Sequence, residues 1–178
     1  MPLSEAEVVS EPVRTPAEIA RVAALAQQIW HEYYTPIIGA TQVEYMLQHF
    51  QSAASIAANI REGFQYFLVR LSGHQQDDRS DSSIGYYSIL TQPTSRQLLI
   101  SKLYLIATMR GMGLGRLLLD RIALLARNNG LDTVWLTVNK NNPALHTYLR
   151  CGFVNKGSIV KDIGGGFVMD DFQLERVV

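Results

Sequence analysis

The chain has one cysteine in 178 residues. A lone thiol forms no internal disulfide and cannot combine with other cysteines into a zinc site, so a secreted disulfide scaffold and a zinc module are both excluded. Its four histidines, His31, His49, His74 and His146, show no metal-ligand spacing, and no metal is expected. Charge of one sign is also missing. Sixteen Lys and Arg stand against sixteen Asp and Glu, a formal net charge of zero, which argues against the broad basic face of a nucleic-acid binder. No apolar run approaches the ~20 residues of a membrane span. The opening MPLSEAEVVSEPVR carries acids and prolines where a secretory signal has its apolar segment. The chain therefore reads as soluble and cytoplasmic, with no nucleic-acid or membrane partner. Ordinary core material is plentiful: hydrophobic residues are 47%, over a length that suits a single domain, 1–178.

Periodicity divides the chain. Glu7 to Val13 is a short strand or a loose arm. Thr15-Pro16-Ala17-Glu18 has the form of a helix start, with Thr15 as cap, Pro16 at the first helical position and Glu18 returning to the cap amide. Apolar residues from Ile19 to Trp30 extend that helix to about His31. Thr35-Pro36 and Gly39 are breaks, and two short helices follow, from Val43 to Phe50 and from Ala53 to Ile60. The pattern then turns to strands at Phe64 to Val69 and Ile84 to Leu90, joined by a polar loop, and at Gln97 to Ile106. The run Leu98-Leu99-Ile100 predicts burial on both faces of that last strand. A leucine stripe, Leu114, Leu117, Leu118, Ile122 and Leu125, marks a helix ending near Gly130. A strand at Thr133 to Val138, a helix at Pro143 to Arg150, and two strands joined at Gly164-Gly165-Gly166 complete a mixed sheet with helices on its faces.

One segment carries chemistry: Leu103-Tyr104-Leu105-Ile106-Ala107-Thr108-Met109-Arg110-Gly111-Met112-Gly113-Leu114-Gly115-Arg116. A strand runs into a glycine turn, and the turn into an amphipathic helix. Glycines let a ligand approach the backbone, and the free N–H groups of the first helical turn favour an anion. Arg110 and Arg116 suit phosphate. The alternative is a tight turn that serves close helix–sheet packing. A dinucleotide loop of the form G-x-G-x-x-G fails at Arg116, and a Walker loop fails for want of its lysine. A nucleotide-binding domain of another class is thereby disfavoured.

A second segment is Asn141-Asn142-Pro143-Ala144-Leu145-His146-Thr147-Tyr148-Leu149-Arg150-Cys151-Gly152-Phe153. Ala144 and Tyr148, four apart, share a helix face, and Gly152 is placed to end the helix. The two segments together resemble the GNAT (GCN5-related) N-acetyltransferase superfamily. Its signature R/Q-x-x-G-x-G/A is matched by Arg110, Gly113 and Gly115. Its signature N-x-x-A-x-x-x-Y-x-x-x-G-F is matched by Asn141, Ala144, Tyr148, Gly152 and Phe153.

The resemblance implies an α/β (α+β mixed) fold: a central mixed, mostly antiparallel sheet of about seven strands, splayed parallel central strands and flanking helices. It implies an acetyl-CoA-binding core at 97–153 and a helical substrate-side segment at 15–62. Acetyl-CoA would be the cosubstrate, its diphosphate resting on the amides of Arg110, Gly111, Met112, Gly113, Leu114 and Gly115, beside Arg116. Its pantetheine arm would pair with Leu103, Tyr104 and Leu105 like an added strand. Asn141 and Ala144 belong to the same site, and Tyr148 takes the position of the general acid that protonates the departing thiolate. The acceptor would be a small-molecule amine or a protein or peptide amine. A homodimer through the late strands follows by analogy. A non-catalytic CoA-binding module on the same fold is the alternative, because the central strand offers Ser101 and Lys102 where many relatives carry an acid.

Other signals have blander readings. His31, Glu32 and Tyr33 are base candidates or simply a helix end. Of Asp170 and Asp171, alternation lets only one face a site. Trp30, Tyr33, Tyr34, Tyr45 and Phe50 line an acceptor pocket or form the core of the helical part. Cys151 reads as a small buried hydrophobe. His74 and the run Asp77 to Asp81 read as a solvated hairpin tip.

Overall fold

A computed structural model of the chain describes residues 7–72 and 82–178. His74 and the acidic run from Asp77 to Asp81 lie outside the described residues. The strands are β1 (Val8–Pro12), β2 (Gln65–Leu71), β3 (Ser83–Gln92), β4 (Gln97–Leu105), β5 (Thr133–Asn139), β6 (Val154–Gly164) and β7 (Phe167–Val177). The helices are α1 (Pro16–Tyr33), α2 (Thr35–Ile38), α3 (Ala40–Phe50), α4 (Ala53–Arg61), α5 (Leu114–Asn128) and α6 (Leu145–Arg150). The strands form one seven-stranded sheet in the order β1-β2-β3-β4-β5-β7-β6. It is mostly antiparallel, with β4 and β5 parallel. The chain divides into two compact units, Met1–Ser88 with Lys102–Gly115, and Ile89–Ser101 with Arg116–Val178.

In the first unit, α1 starts as its sequence predicts. Thr15 Oγ1 accepts from the Glu18 N–H at 3.3 Å, while Glu18 Oε2 accepts from the Thr15 N–H at 2.8 Å. These two bonds satisfy donors that a helix start leaves unpaired. The backbone amides of Arg14 and Thr15 hold the Glu18 carboxyl below its usual range. The helix buries Val22, Leu25, Ala26, Ile29 and Trp30. Thr35-Pro36, expected as a break, instead opens the four-residue α2. Proline costs nothing in a first turn, where its missing N–H has no partner to lose. Gly39, at φ 83°, does end α2. β1 pairs antiparallel with β2, from Val8 opposite Leu71 to Pro12 opposite Phe67.

In the second unit, β4 pairs with β5 at Gln97–Thr133, Leu98–Val134 and Leu99–Trp135. β5 pairs with β7 from Thr133–Val177 to Asn139–Asp171. The buried arc of α5 holds Leu118, Leu119, Ile122, Ala123 and Ala126, whereas Leu125, expected on the stripe, is 40% exposed. It falls at the rim of an arc that a 3.6-residue period allows to cover about half of the helix. α6 is shorter than the expected Pro143 to Arg150. Asn142 Oδ1 accepts from the Ala144 N–H at 2.9 Å, and this side-chain turn holds Pro143 and Ala144 outside the helix.

The burial of β4 departs from expectation. Leu98, Ile100 and Lys102 are buried, while Leu99, Ser101 and Leu103 are half-exposed. A strand alternates its side chains however apolar three successive residues are. The buried residue at the end of that series is a lysine.

Gly85 in β3 is fixed by close approach. A Cβ there would collide with the Tyr104 carbonyl oxygen and lie 2.8 Å from Leu105 Cδ2. Backbone cannot yield as a flexible side chain can, so Gly85→Ala is expected to cost about 1–3 kcal/mol or more. The midpoint and slope of urea unfolding measure this, and an unchanged midpoint would refute the collision.

Candidate functional site

The glycine turn is built from the end of β4. A 3-10 turn at Ala107–Met109 follows, in which the Met109 N–H donates to the Ile106 carbonyl at 3.0 Å and the Arg110 N–H to the Ala107 carbonyl at 3.1 Å. Gly111 and Gly113 then take φ of 76° and 84°, the left-handed region that costs other L-residues strain. α5 begins at Leu114. A Cβ added at Gly111, Gly113 or Gly115 would meet nothing within 4 Å. These glycines therefore do not serve close helix–sheet packing, the alternative weighed from sequence. They leave open space. Among the described residues the N–H groups of Gly111, Met112 and Gly113 have no acceptor, and the first turn of α5 adds N–H groups that no helix can satisfy internally. Together these form a cradle of donors at the positive end of a helix, which fits a diphosphate. The Arg110 amide, expected in the cradle, is spent on Ala107; the available donors begin at Gly111.

Arg110 contributes through its side chain. Its Nε donates to the Leu105 carbonyl at 2.9 Å and its Nη1 to Glu32 Oε1 at 2.9 Å, and the guanidinium lies 4.6 Å from the Tyr33 ring centroid. The side chain thus ties the end of β4 and the end of α1 to the glycine turn. Sequence reasoning named Glu32 and Tyr33 as base candidates or a helix end. Their contact with Arg110 was not legible, because 78 positions separate Glu32 from Arg110.

Leu103, Tyr104 and Leu105 are half-exposed. The Tyr104 ring meets Trp30 at 5.6 Å, Tyr34 at 6.0 Å and Tyr86 at 5.2 Å, and Trp30 stacks on Tyr34 at 4.2 Å. Tyr45 instead packs with His49 and Phe50. The aromatic residues grouped by sequence thus form two clusters, and the first includes Tyr104. His31 is occupied with Gln27 and Glu44, each at 3.2 Å.

The second unit holds the other motif. Asn141 donates its N–H to Asn139 Oδ1 at 2.9 Å and is exposed, while the buried Asn142 makes the side-chain turn. Ala144 accepts from the Tyr148 N–H at 3.1 Å, and the half-buried Tyr148 ring meets Phe153 edge-on at 5.9 Å. Gly152 closes α6 at φ 87°. Arg116 is exposed, with Asp120 3.7 Å away. Burial raises the Cys151 thiol above its usual pKa, which suits a packing role and not a thiolate nucleophile. Among the described residues no group of three or more His, Cys, Asp or Glu could hold a metal, and no helix is long and apolar enough to cross a membrane.

Of the two neighbouring acids, Asp170 is exposed and paired with Lys140 Nζ at 2.5 Å. Asp171 is 5% exposed. Burial raises its carboxyl above the usual aspartate range, opposed by a hydrogen bond from the Thr137 side chain.

The chain belongs to the acetyltransferase (GNAT) family, whose model matches residues 25–153. It is 36% identical over 70 residues to streptothricin acetyltransferase from Streptomyces lavendulae, a match spanning 39% of this chain and 37% of that protein. In fold it resembles the PaiA N-acetyltransferase from Thermoplasma acidophilum in complex with coenzyme A, with a TM-score of 0.72, 17% identity, and coverage of 96% and 99% of the two chains. It also resembles the spermidine N-acetyltransferase from Vibrio cholerae in complex with CoA and spermine, with a TM-score of 0.68, 15% identity, and coverage of 97% and 96%.

The Asp171 shift has a consequence for stability. A carboxyl whose folded pKa is raised costs nothing while both states are protonated, and destabilises the fold as pH rises through the unfolded value of about 3.9. Asp171→Asn is therefore expected to raise the melting temperature at neutral pH, with the gain shrinking toward zero in acid. A gain that is constant with pH would refute this account.

Proposed function

We propose that the chain transfers the acetyl group of acetyl-CoA directly to the nitrogen of an amine, with both substrates held at once and no covalent enzyme intermediate. The observation that carries this reading is the open space around Gly111, Gly113 and Gly115, faced by N–H groups with no acceptor. Those amides would bind the diphosphate. The backbone of Leu103 to Leu105 would pair with the pantetheine amides, and an N–H near Leu105 would stabilise the tetrahedral oxyanion.

The amine nitrogen, once deprotonated, bonds to the acetyl carbon, and the carbon–sulfur bond breaks. Tyr148 would deliver its hydroxyl proton to the thiolate as that charge develops. Alignment of the two reactants supplies much of the acceleration. Tyr148 is half-exposed on α6. Small-molecule amines are favoured as acceptors over protein amines, because the relatives named above act on streptothricin and spermidine. The last strand of the sheet, β6, exposes Val154, Ile159 and Val160 and would serve a homodimer. A second reading, a CoA-binding module without turnover, is favoured by the half-exposed Ser101 and buried Lys102 at the place of an acid on β4.

Release of free thiol from acetyl-CoA with a panel of amines separates the two readings. Tyr148→Phe is expected to lower kcat by about a hundredfold with little change in acetyl-CoA affinity. Equal turnover would remove Tyr148 from the acid role, and CoA binding without transfer to any amine would favour the second reading.

A further inference from the structure

The peptide that ends β4 is held at both of its edges. The Leu105 carbonyl accepts from Arg110 Nε at 2.9 Å, and the Ile106 N–H of the same peptide donates to the Ile84 carbonyl at 3.0 Å. The Arg110 side chain therefore folds back across the 3-10 turn and closes the loop from which the glycine cradle starts. The outer half of the guanidinium is anchored elsewhere. Nη1 donates to Glu32 Oε1 at 2.9 Å, and the central carbon stands 4.6 Å from the Tyr33 ring centroid. Nη2 is buried and has no acceptor among the described residues. Glu32, in the last turn of α1, makes no other hydrogen bond or ion pair among the described residues. Glu32, Tyr33, Arg110 and the glycine turn all belong to the first unit.

An arginine beside a glycine turn reads in sequence as a phosphate ligand. The geometry points to another task. Nε and Nη1 each hold an acceptor and Nη2 is covered, so a phosphate drawing on this charge would compete with Glu32 for it. The N–H groups of Gly111, Met112 and Gly113 have no such competitor. Their difficulty is conformational, because glycine leaves a turn free to take many shapes before a ligand arrives. A turn fixed in advance avoids that ordering cost on binding.

We infer that Glu32 is a positioning residue for acetyl-CoA. From the end of α1 it holds the Arg110 guanidinium across the base of the turn, steadies the glycine amides and keeps that guanidinium off the diphosphate. This role rests on the reading that the cradle takes the diphosphate of acetyl-CoA, and it concerns binding, not the transfer step. Charge and position predict opposite signs here. An acid near a diphosphate repels it, so on charge alone the loss of Glu32 would tighten binding. An acid that fixes the cradle weakens binding when it is lost.

Calorimetric titration of the full chain with acetyl-CoA tests this, with thiol release giving KM and kcat beside it. Glu32→Ala is expected to raise the Kd by about threefold to tenfold. The KM for acetyl-CoA should rise in proportion, with kcat changed by less than about twofold. Glu32→Gln keeps an acceptor oxygen at the same reach and should restore most of the affinity. Arg110→Gln places an amide nitrogen where Nε stands, so the bond to Leu105 survives while the arm to Glu32 is gone. It should weaken binding about as much as Glu32→Ala, and adding Glu32→Ala to it should cost nothing more. Glu32 is exposed, so its variants are expected to fold. Tighter binding in both Glu32 variants makes it a merely repulsive charge and overturns the inference. An equal loss from Glu32→Ala with and without Arg110→Gln overturns it too. So does a loss in Arg110→Gln several times that of Glu32→Ala, which would make the guanidinium itself a diphosphate ligand. The calorimetric comparison decides the matter even where no amine is acetylated. Wild type without affinity for acetyl-CoA overturns the reading of the cradle and this role with it, whereas wild type and Glu32→Ala that bind alike overturn this role alone.

Discussion

The hydrogen bond from Arg110 Nε to the Leu105 carbonyl spans five residues and closes the turn between strand and helix. Without it, Gly111 and Gly113 would leave that turn with more conformational freedom than any other residues allow. With it, the guanidinium is placed so that Nη1 reaches Glu32 and its carbon lies over the face of Tyr33. The flexibility that lets backbone amides face outward is thus confined to the glycines themselves. Rigidity comes from an arginine on one side and from α5 on the other. A planar, forked cation does this where a lysine would not, because a point charge cannot hold a carbonyl and a carboxylate in fixed directions at once.

Much of this turn was legible in the sequence. Glycine at alternate positions after a strand and before a leucine stripe specifies backbone conformation, and backbone conformation is local. The capping box at Thr15 and Glu18 was legible for the same reason. Errors arose where a side chain competed with a local pattern. Asn142 captured the Ala144 amide and shortened α6, and Pro36 entered a helix where it looked like a break. Leu98-Leu99-Ile100 suggested a strand buried on both faces, yet Leu99 remained half-exposed. Three apolar letters report hydrophobicity, and the cover over each face is supplied by segments elsewhere in the chain.

The two sides of the proposed reaction differ in how they are written. A thioester carrier is recognised through N–H groups and strand-like pairing, which glycine positions and strand register announce. Other parts of the structure depend on side chains that distant segments bring together: Glu32 with Arg110, Tyr104 with Trp30 and Tyr34, Lys102 with Tyr66. No spacing rule announces such contacts. The sequence therefore pointed to the family through its glycine turn and left the acceptor open.

Lys102 illustrates how burial adds information that residue type lacks. As a letter on β4 it marked only the lack of an acid. In the structure it alternates with Ile100 on the inward face and, among the described residues, is covered without an anion beside it. Folding has placed a charge where an apolar residue would have been easier to bury. A base at that position would draw a proton from the acceptor nitrogen; a lysine there leaves that step to another group.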